Sequence, residues 1–385
     1  MLPTTADVVI IGGGCMGASV AYHLAARSAG KIVLLEREKF LAMGSTGRNA
    51  GGIRHQFSTP VNIHLSNYSI DVIRRFPEIF GVSADYHALG YLFLLTTPSQ
   101  VEIFKKNIAL QKSLGVHDVV FLEPAEIARL APRVNLENVI GGSICPRDGT
   151  ADPYTVTQTF ASEARKRGAY IANETEVIGI ETARGKIARV KTNQGDIATP
   201  NIVNCAGPWA GQIGAMAGLE IPIVPLRRQM FNTSEIPEIP RDHPFIIDFT
   251  TSLYFHPDSP GLLFGMSNRS ETSSFNYAVD EAFHFEMLEQ AMYRLPLVEH
   301  ARVTKQIAGL YEVTPDAHPI LGQARDLYGF YNCAGFSGHG FQHSPAAGLA
   351  LSEIILDGAS KTIDVSMLDL ERFREGRAIV ELNVV

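Results

Sequence analysis

The first apolar stretch of the chain has the pattern of a buried strand, a turn, a helix and a second strand. Residues 8–11 are all β-branched, as expected for a strand buried on both faces of a parallel sheet. Apolar residues then recur at helical spacing to about residue 25. The second strand, residues 31–36, ends at an acid, Glu36. This order of elements predicts a βαβ unit.

The turn after the first strand has G-x-G-x-x-G spacing, with glycines at Gly12, Gly14 and Gly17. Gly12 permits the tight turn, Gly14 lets a pyrophosphate approach the backbone, and Gly17 lets the helix pack on the strand. The helix N-terminus attracts phosphate, and Glu36 can accept hydrogen bonds from ribose hydroxyls. In this context the motif favours an ADP-type dinucleotide over a glycine turn with no ligand, and it leaves NAD and FAD open.

A similar pattern returns near the C-terminus. Residues 329–334 form a predicted strand, and the run 335–343 is crowded with glycine before an apolar helix. Such a run is typical of backbone that approaches a ligand closely. Ser344 is the predicted helix cap and Pro345 the first helical residue. His339 and His343 are four residues apart, but this prediction places both before the helix, which disfavours a metal site.

The pattern between these ends predicts further elements. They are a helix at 61–76, a strand pair at 86–97, a short helix at 122–132, a helix from Asp152 to Gly168, a β-meander at 175–197, a buried strand near 201–205, and mixed strands over 222–308 with a helix at 281–294. Asp152 is the predicted N-cap and Pro153 the first residue of its helix.

These elements predict a mixed α/β fold with two interleaved domains. A Rossmann-like cofactor-binding domain comprises residues 1–85, 148–220 and 308–385. A substrate domain, built on a large antiparallel sheet, comprises residues 86–147 and 221–307.

Composition narrows the class of protein. The chain has 385 residues and a net charge of −7, which argues against a nucleic-acid surface. Its four cysteines lie far apart and predict reduced thiols. The N-terminus lacks the basic segment of a signal peptide, and no apolar run reaches membrane-spanning length. We therefore expect a cytoplasmic protein with no membrane span.

Five ordered motifs carry a resemblance across the whole chain. They are VVIIGGGCMG…LLE, GSTGRNAGGIRH, VNCAGPWA, GLYEVTPDAHPILG and CAGFSGHGFQHSPAAG. The sequence resembles the FAD-dependent D-amino acid oxidase superfamily, in the branch of sarcosine oxidase, dimethylglycine dehydrogenase and the L-proline dehydrogenase β-subunit. The resemblance implies FAD as cofactor and oxidation of a carbon–nitrogen bond next to a carboxylate.

The resemblance also implies which residues contact FAD. They are Gly12, Gly14, Cys15, Met16, Gly17, Glu36, Arg37, Ser45, Thr46, Arg48, Asn49, Ala50, Gly51, Gly52, Val177, Ala206, Gly207, Trp209, Gly309, Gly335, Gly338, His339, Gly340, Phe341 and Gln342. The loop 335–342 is expected beside the flavin ring, with the helix dipole favouring its reduced, negative form.

Five residues are implied at the reaction centre: Arg54, Tyr254, Tyr311, His339 and Gln342. Arg54 matches an arginine that holds the substrate carboxylate, a task suited to its guanidinium fork. A surface ion pair or a contact to FAD is the alternative for Arg54. Tyr254 and Tyr311 match pocket tyrosines.

The sequence departs from its relatives at four positions. Gly309 stands where some relatives attach the flavin through cysteine, and Arg48 lies near a histidine used by others, so noncovalent FAD is expected. Leu263 replaces a lysine that activates oxygen, which favours a dehydrogenase or a slow oxidase. Gln342 replaces a lysine that helps to bind carboxylate, which favours a looser or different carboxylate site.

The implied reaction passes a hydride equivalent from the substrate to flavin N5, and the imine then hydrolyses in water. A secondary or N-methyl amino acid such as sarcosine, dimethylglycine or proline is the favoured substrate. A primary amino acid, a hydroxy acid, or an FAD-binding subunit of a hetero-oligomeric dehydrogenase are the alternatives. A homo-oligomer and a hetero-oligomer are both left open.

Overall fold

The computed structural model describes residues 1–383. Its strands are β1 (Val8–Ile11), β2 (Ile32–Leu35), β3 (Gly52–Ile53), β4 (Tyr91–Leu95), β5 (Val120–Leu122), β6 (Gly141–Cys145), β7 (Gly149–Thr150), β8 (Tyr170–Ala172), β9 (Val177–Ala183), β10 (Lys186–Thr192), β11 (Gly195–Ala198), β12 (Ile202–Asn204), β13 (Val224–Thr233), β14 (Phe245–Asp248), β15 (Tyr254–Asp258), β16 (Gly261–Met266), β17 (Val303–Val313), β18 (Ile320–Gln323) and β19 (Phe330–Ala334).

The α-helices alternate with these strands along the chain. They are α1 (Cys15–Ala26), α2 (Pro60–Arg74), α3 (Phe76–Phe80), α4 (Pro98–Ser113), α5 (Pro124–Leu130), α6 (Pro153–Lys166), α7 (Ala210–Met216), α8 (Glu281–Arg294) and α9 (Gly340–Asp357). Within residues 1–383, no helix combines the length and apolar character that crossing a membrane needs.

A six-stranded sheet brings the two ends of the chain together. Its order is β18-β19-β12-β1-β2-β8, and β1 pairs in parallel with both β12 and β2. Alternate residues of β1 pack into two separate cores, with Val8 and Ile10 on one face and Val9 and Ile11 on the other. The expectation of a strand buried on both faces is confirmed.

An eight-stranded sheet forms the other large layer, in the order β17-β13-β16-β15-β14-β4-β6-β5. Its pairs are antiparallel except β14 with β4. The predicted meander is present as β9, β10 and β11. The mixed α/β fold class is therefore confirmed. The domain boundaries remain a prediction, and residues 384–385 of the predicted cofactor domain lie outside the described residues.

The start of α9 corrects the sequence prediction. The helix begins at Gly340 with His339 as its N-cap, so Ser344 and Pro345 lie inside it. Proline at an interior position leaves the carbonyl four residues earlier without its N–H donor. Here the Ser344 hydroxyl donates to that carbonyl, the oxygen of Phe341, at 2.9 Å. The helix therefore passes through Pro345, and His343 lies on the helix.

Two further predictions between the ends need correction. The strand pair at 86–97 was wrong: only β4 is a strand there, and His87 forms an isolated bridge to Thr150. Gly90 has a positive φ of 76° and breaks the run before β4. Helix α4 was missed, although Thr97 and Gln100 form a capping box at its start. That spacing is a sequence signal for the helix.

Candidate active site

Two adjoining cavities form a cleft between the large sheets. The first, about 170 Å³, lies against the eight-stranded sheet, and the second, about 340 Å³, lies at the end of β1 and β2. They share the lining residues Gly14, Ser45, Thr46, Arg48 and Cys205. The N-terminus of α1 lies at this junction, so an elongated ligand can run from one cavity into the other past the helix end.

Close backbone packing builds the junction. A Cβ on Gly12 would lie 2.4 Å from the carbonyl oxygen of Cys205, and one on Gly17 would lie 1.9 Å from the carbonyl oxygen of Gly12. Gly14 caps α1 without a side-chain hydrogen bond and lines both cavities. The free end of the helix dipole is thus presented to the cleft, which suits a diphosphate.

Glu36 orders the glycine turn at the second cavity. Its Oε2 accepts a hydrogen bond from the Gly13 N–H at 2.7 Å, and its Oε1 accepts from the Glu38 N–H at 2.8 Å. Burial raises the pKa of Glu36, and these backbone donors oppose the rise. Each carboxylate oxygen keeps a second lone pair, so the group can also accept from a ribose hydroxyl.

A stack of flat side chains closes the outer side of the second cavity. The Arg37 guanidinium lies 3.7 Å from the ring centroid of Trp209, and Trp209 stacks on Phe275 at 5.3 Å. Arg48 lies 4.4 Å from the ring centroid of Tyr277. Aromatic rings and guanidinium planes stack on one another, and they can stack on a flat adenine ring in the same way. Together with the diphosphate site, they fit the adenosine half of FAD.

Most predicted cofactor residues line this cleft. The second cavity contains Gly12, Glu36, Arg37, Val177, Ala206 and Trp209. The first contains Cys15, Met16, Asn49, Ala50, Gly52, Gly309, Gly338, His339, Gly340, Phe341 and Gln342. Gly17, Gly51, Gly207 and Gly335 line neither, and pack nearby backbone and side chains instead.

All five residues predicted at the reaction centre line the first cavity: Arg54, Tyr254, Tyr311, His339 and Gln342. Arg54 is 7% exposed, and burial lowers its pKa. Its guanidinium donates to the backbone oxygens of Gln56 and Asn383 and forms no ion pair with a carboxylate of residues 1–383. A buried cation without a counter-ion is costly, so the site is suited to an anion that arrives with the substrate.

Residues 381–383, at the C-terminal end of the described chain, fix the position of the Arg54 side chain. Asn383 accepts from its guanidinium, and Glu381 anchors this segment to the start of α2. The Glu381 carboxylate accepts from Ser58, Thr59 and Asn62 side chains at 2.5, 2.6 and 3.0 Å. Burial tends to raise the pKa of Glu381, but these hydrogen bonds keep it below its usual value. Sequence analysis gave this segment no role.

Three tyrosines form the walls of the first cavity, and each fills the space of a glycine. A Cβ on Gly52 would meet Tyr91 Oη at 1.9 Å, and one on Gly265 would meet Tyr254 Oη at 2.2 Å. A Cβ on Gly338 would meet the ring of Tyr311 at 2.2 Å. Burial raises the pKa of all three phenols. The hydroxyls therefore stay protonated near neutral pH and act as hydrogen-bond donors.

The turn into α9 completes the cavity with neutral groups. Gln342 Oε1 accepts from the backbone N–H of Arg54 at 2.8 Å and fixes that segment. Burial, together with nearby positive charge, puts the pKa of His339 and of His343 well below the usual value. Their rings lie 5.1 Å apart. Both imidazoles are neutral at pH 7, so neither supplies a cation to the cavity.

Several residues that line this cavity were not predicted from the sequence. Among them are Tyr91, Arg228 and Glu312, which lie on β4, β13 and β17. Burial raises the pKa of Glu312 to about 7, and backbone N–H groups of the turn before α9 oppose this rise only in part. For Glu312 a signal existed, because it directly follows Tyr311 in the motif GLYEVTPD. For Tyr91 and Arg228, only the pairing of distant strands reveals their position.

Potential metal ligands lie elsewhere. In the part of the chain that the structure describes, the grouped candidates are His55, Cys145 and Asp148, all buried and outside both cavities. His55 Nδ1 already lies 2.6 Å from Asp148. All four cysteines are buried and free, and the expectation of reduced thiols stays a prediction.

Comparison with known proteins agrees with this geometry. Residues 7–354 match the family described as DAO, FAD dependent oxidoreductase. The crystal structure of L-proline dehydrogenase from P. horikoshii superposes with a TM-score of 0.90 at 34% identity, over 97% of this chain and 99% of that chain. Proteins of this fold and family bind FAD, and the cleft described above fits it.

Curated relatives are longer than this chain. Mitochondrial dimethylglycine dehydrogenase of Mus musculus is 32% identical over 96% of this chain and 44% of its own length. Mitochondrial sarcosine dehydrogenase of Homo sapiens is 32% identical over 97% of this chain and 42% of its own length. The chain thus spans under half the length of these relatives, and its cytoplasmic location stays a prediction. By the family match and by the likeness over its whole fold, the chain belongs to the DAO family of FAD-dependent oxidoreductases.

Proposed function

We propose that this protein oxidises the carbon–nitrogen bond of a small amino acid whose nitrogen carries a second carbon substituent. The observation that carries the proposal is Arg54, a buried guanidinium that lines the first cavity and forms no ion pair with a carboxylate of residues 1–383. The relatives named above are dehydrogenases of proline, sarcosine and dimethylglycine. These compounds share a carboxylate next to such a nitrogen.

The residues of the cavity would bind and orient the substrate. Arg54 keeps unused N–H donors and would hold the carboxylate in a fork. The protonated hydroxyls of Tyr254 and Tyr311 would limit its rotation. Bound FAD would supply the chemistry by accepting a hydride equivalent from the carbon next to nitrogen. The protein's contribution is then position and electrostatics, and the imine product hydrolyses after release.

We further propose that the flavin is held without a covalent bond. By the resemblance, Gly309 stands where some relatives attach flavin through cysteine, and Arg48 lies near the histidine that others use. The two residues lie side by side, since a Cβ on Gly309 would be 3.1 Å from the Arg48 Cβ. Neither residue offers a thiol or an imidazole there. Flavin that is released into the supernatant on acid precipitation supports this proposal, and flavin that stays with the protein contradicts it.

The preference for a dehydrogenase over a fast oxidase rests on the resemblance alone. Leu263 is buried in β16, pairs with His256 on β15 and lines neither cavity, so its position lends that preference no support. Turnover with an artificial acceptor should exceed turnover with oxygen. Rapid peroxide formation would contradict the assignment.

The test of the function is an anaerobic panel of substrates on purified yellow protein. Proline, sarcosine and dimethylglycine are compared with glycine, alanine and lactate while bleaching of the flavin absorbance is recorded. Bleaching by the substituted amines supports the proposal. Bleaching by glycine or lactate alone would favour a primary amine or a hydroxy acid. No bleaching by any compound would favour an FAD-binding subunit that depends on a partner.

A further inference from the structure

The first cavity holds more positive charge than a simple amino acid can neutralise. Among the described residues, three guanidinium groups line it, those of Arg48, Arg54 and Arg228, against one carboxyl group, Glu312. Arg48 also lines the second cavity and packs on Tyr277, which assigns it to the cofactor side. An amino acid bound with a neutral amine carries a single negative charge, and Arg54 takes it. The charge of Arg228 is then not neutralised by such a substrate.

Arg228 is directed into the cavity by the register of the sheet. It alternates with Met230 along β13, and both line the cavity. Its partner on β17 is Gly309, and Arg48 occupies the space above that glycine. Gln229, between the two, is buried and lines no part of the cavity. The register of β13 therefore places Arg228 on the cavity face of the strand.

The bonding of Arg228 is incomplete. One terminal nitrogen donates to the backbone oxygen of Arg227 at 2.9 Å, and its guanidinium carbon lies 5.1 Å from the Tyr311 ring centroid. Its Nε is buried and has no hydrogen-bond partner among residues 1–383, and it forms no ion pair with their carboxylates. A buried donor without an acceptor is costly to keep, which points to a group that arrives with the ligand.

Arg54, in the segment after β3, and Arg228, on β13, line the same cavity. Burial raises the pKa of Tyr311, and the positive charges of Arg228 and Arg54 both oppose that rise. Tyr311 therefore lies within electrostatic reach of both guanidinium groups. A substrate that reaches from one arginine to the other past Tyr311 needs an acidic group at each end and the amine between them.

We propose that Arg228 binds a second carboxylate of the substrate, so that the cavity selects amines with two acidic groups over amines with one. N-carboxymethyl amino acids have this form. The inference rests on the proposed function, since it takes Arg54 as the site of the first carboxylate. The inference adds a specificity-determining residue, Arg228, and a substrate class to the proposed function.

The first experiment needs no variant. Iminodiacetate is compared with its monoamide, which has the same shape and lacks one charge, as reductants of the enzyme-bound flavin. We expect a kcat/KM ratio of about tenfold or more in favour of iminodiacetate, the size of one charge-assisted hydrogen bond. Equal values would overturn the proposal.

The second experiment measures binding alone. Thiodiglycolate and methylthioacetate, thioethers with two and one carboxylates, are titrated into the holoenzyme while the flavin spectrum is followed. Arg228→Met should weaken thiodiglycolate about tenfold and leave methylthioacetate within about threefold. Arg228→Lys should retain part of the preference. Lys305→Met, which removes an exposed cation from β17, controls for net charge and should change neither affinity.

The outcomes separate this inference from the proposed function. If Arg228→Met weakens both thioethers equally, Arg228 acts through the flavin or the fold, and the inference fails while the function stands. If the wild-type protein binds methylthioacetate and is bleached by sarcosine but does not favour the dicarboxylates, only the inference fails. If no amine bleaches the flavin and neither thioether perturbs its spectrum, both fail.

Discussion

The two halves of the cleft are built by different means. More than half of the residues that line the second cavity come from segments close in sequence, residues 11–14, 35–38 and 42–46, and its glycine turn packs backbone against backbone. The first cavity is formed by side chains from strands far apart in the chain, including Arg54, Tyr91, Arg228, Tyr254 and Tyr311. The cofactor half therefore depends on where the main chain can go, and the substrate half on which side chains meet.

This difference predicts opposite sensitivities. In the cofactor half an added methyl group is harmful where backbones touch, because neither chain can move away. In the substrate half a changed side chain should leave the fold and the flavin in place and alter what binds.

The largest effect is expected for Gly17→Ala. The new Cβ would lie 1.9 Å from the backbone oxygen of Gly12, so α1 must separate from β1. Overpacking of this kind costs about 1–3 kcal/mol or more, and it also displaces the helix end that faces the diphosphate. We expect the flavin content of the purified protein to fall to a small fraction of wild type. Absorbance at the flavin band relative to protein measures it.

Gly44→Ala is the matched control for that substitution. Gly44 lines the second cavity itself, has a φ of −80°, and has no atom within 4 Å of an added Cβ. It should keep its flavin. If both variants retain flavin equally, close backbone contact does not control flavin binding. The proposed difference between the two halves of the cleft would then be wrong.

The same difference explains what the sequence revealed. Gly12, Gly17 and Glu36 were recognised because strand, turn and helix follow each other directly in the chain. Arg228 was missed because its role depends on its pairing with Gly309, 81 residues later by its number, on β17. Sequence periodicity gives which residues share a strand face but not which strand lies beside it.

The start of α9 shows a second limit. Ser344 and Pro345 together are typical of a helix start, and the prediction followed them. The hydroxyl bond from Ser344 to the Phe341 carbonyl compensates for the proline and lets the helix begin five residues earlier. The rule that proline starts a helix assumes that the carbonyl four residues before an interior proline stays unpaired. Here the Ser344 side chain donates to that carbonyl, so the rule does not apply. The resemblance to relatives, in contrast, singled out Arg54, Tyr254 and Tyr311, and all three line the first cavity, while their roles stay a prediction.

The next effect in size tests the substrate half. Arg54→Met should raise KM for amino-acid substrates by about a hundredfold, because one bidentate, charge-assisted contact worth about 2–3 kcal/mol is lost. Flavin content should stay near wild type, since Arg54 lies in the first cavity only. Steady-state kinetics and the flavin-to-protein ratio measure the two effects.

Arg54→Lys sharpens this result. It keeps the charge and loses the fork, so its KM should lie between those of wild type and Arg54→Met. An unchanged KM in Arg54→Met would remove the assignment of the carboxylate site. Loss of flavin in both variants would instead indicate that Arg54 contributes to cofactor binding.

The smallest effect concerns charge at the floor of the first cavity. Burial raises the pKa of Glu312 from 4.5 to about 7. Between these values the native protein binds more protons at this site than the unfolded chain, so this group lowers stability as pH rises. Its destabilising effect is absent below about pH 4.5 and complete above about pH 7. Glu312→Gln cannot ionise and is free of this penalty at every pH.

The measurable quantity is the difference in unfolding free energy between Glu312→Gln and wild type, from urea titrations of the holoproteins. That difference should grow in favour of the variant by about 1 kcal/mol between pH 6 and pH 8. Glu381→Gln is the opposite case, because the pKa of Glu381 is lowered by its hydrogen bonds. That variant should be destabilised above about pH 4.5, with no further change between pH 6 and pH 8. A Glu312→Gln difference that does not change with pH would mean that Glu312 is already charged at pH 6. The substrate half would then hold a compensating anion for one of its arginines, and the case for a second substrate carboxylate would weaken with it.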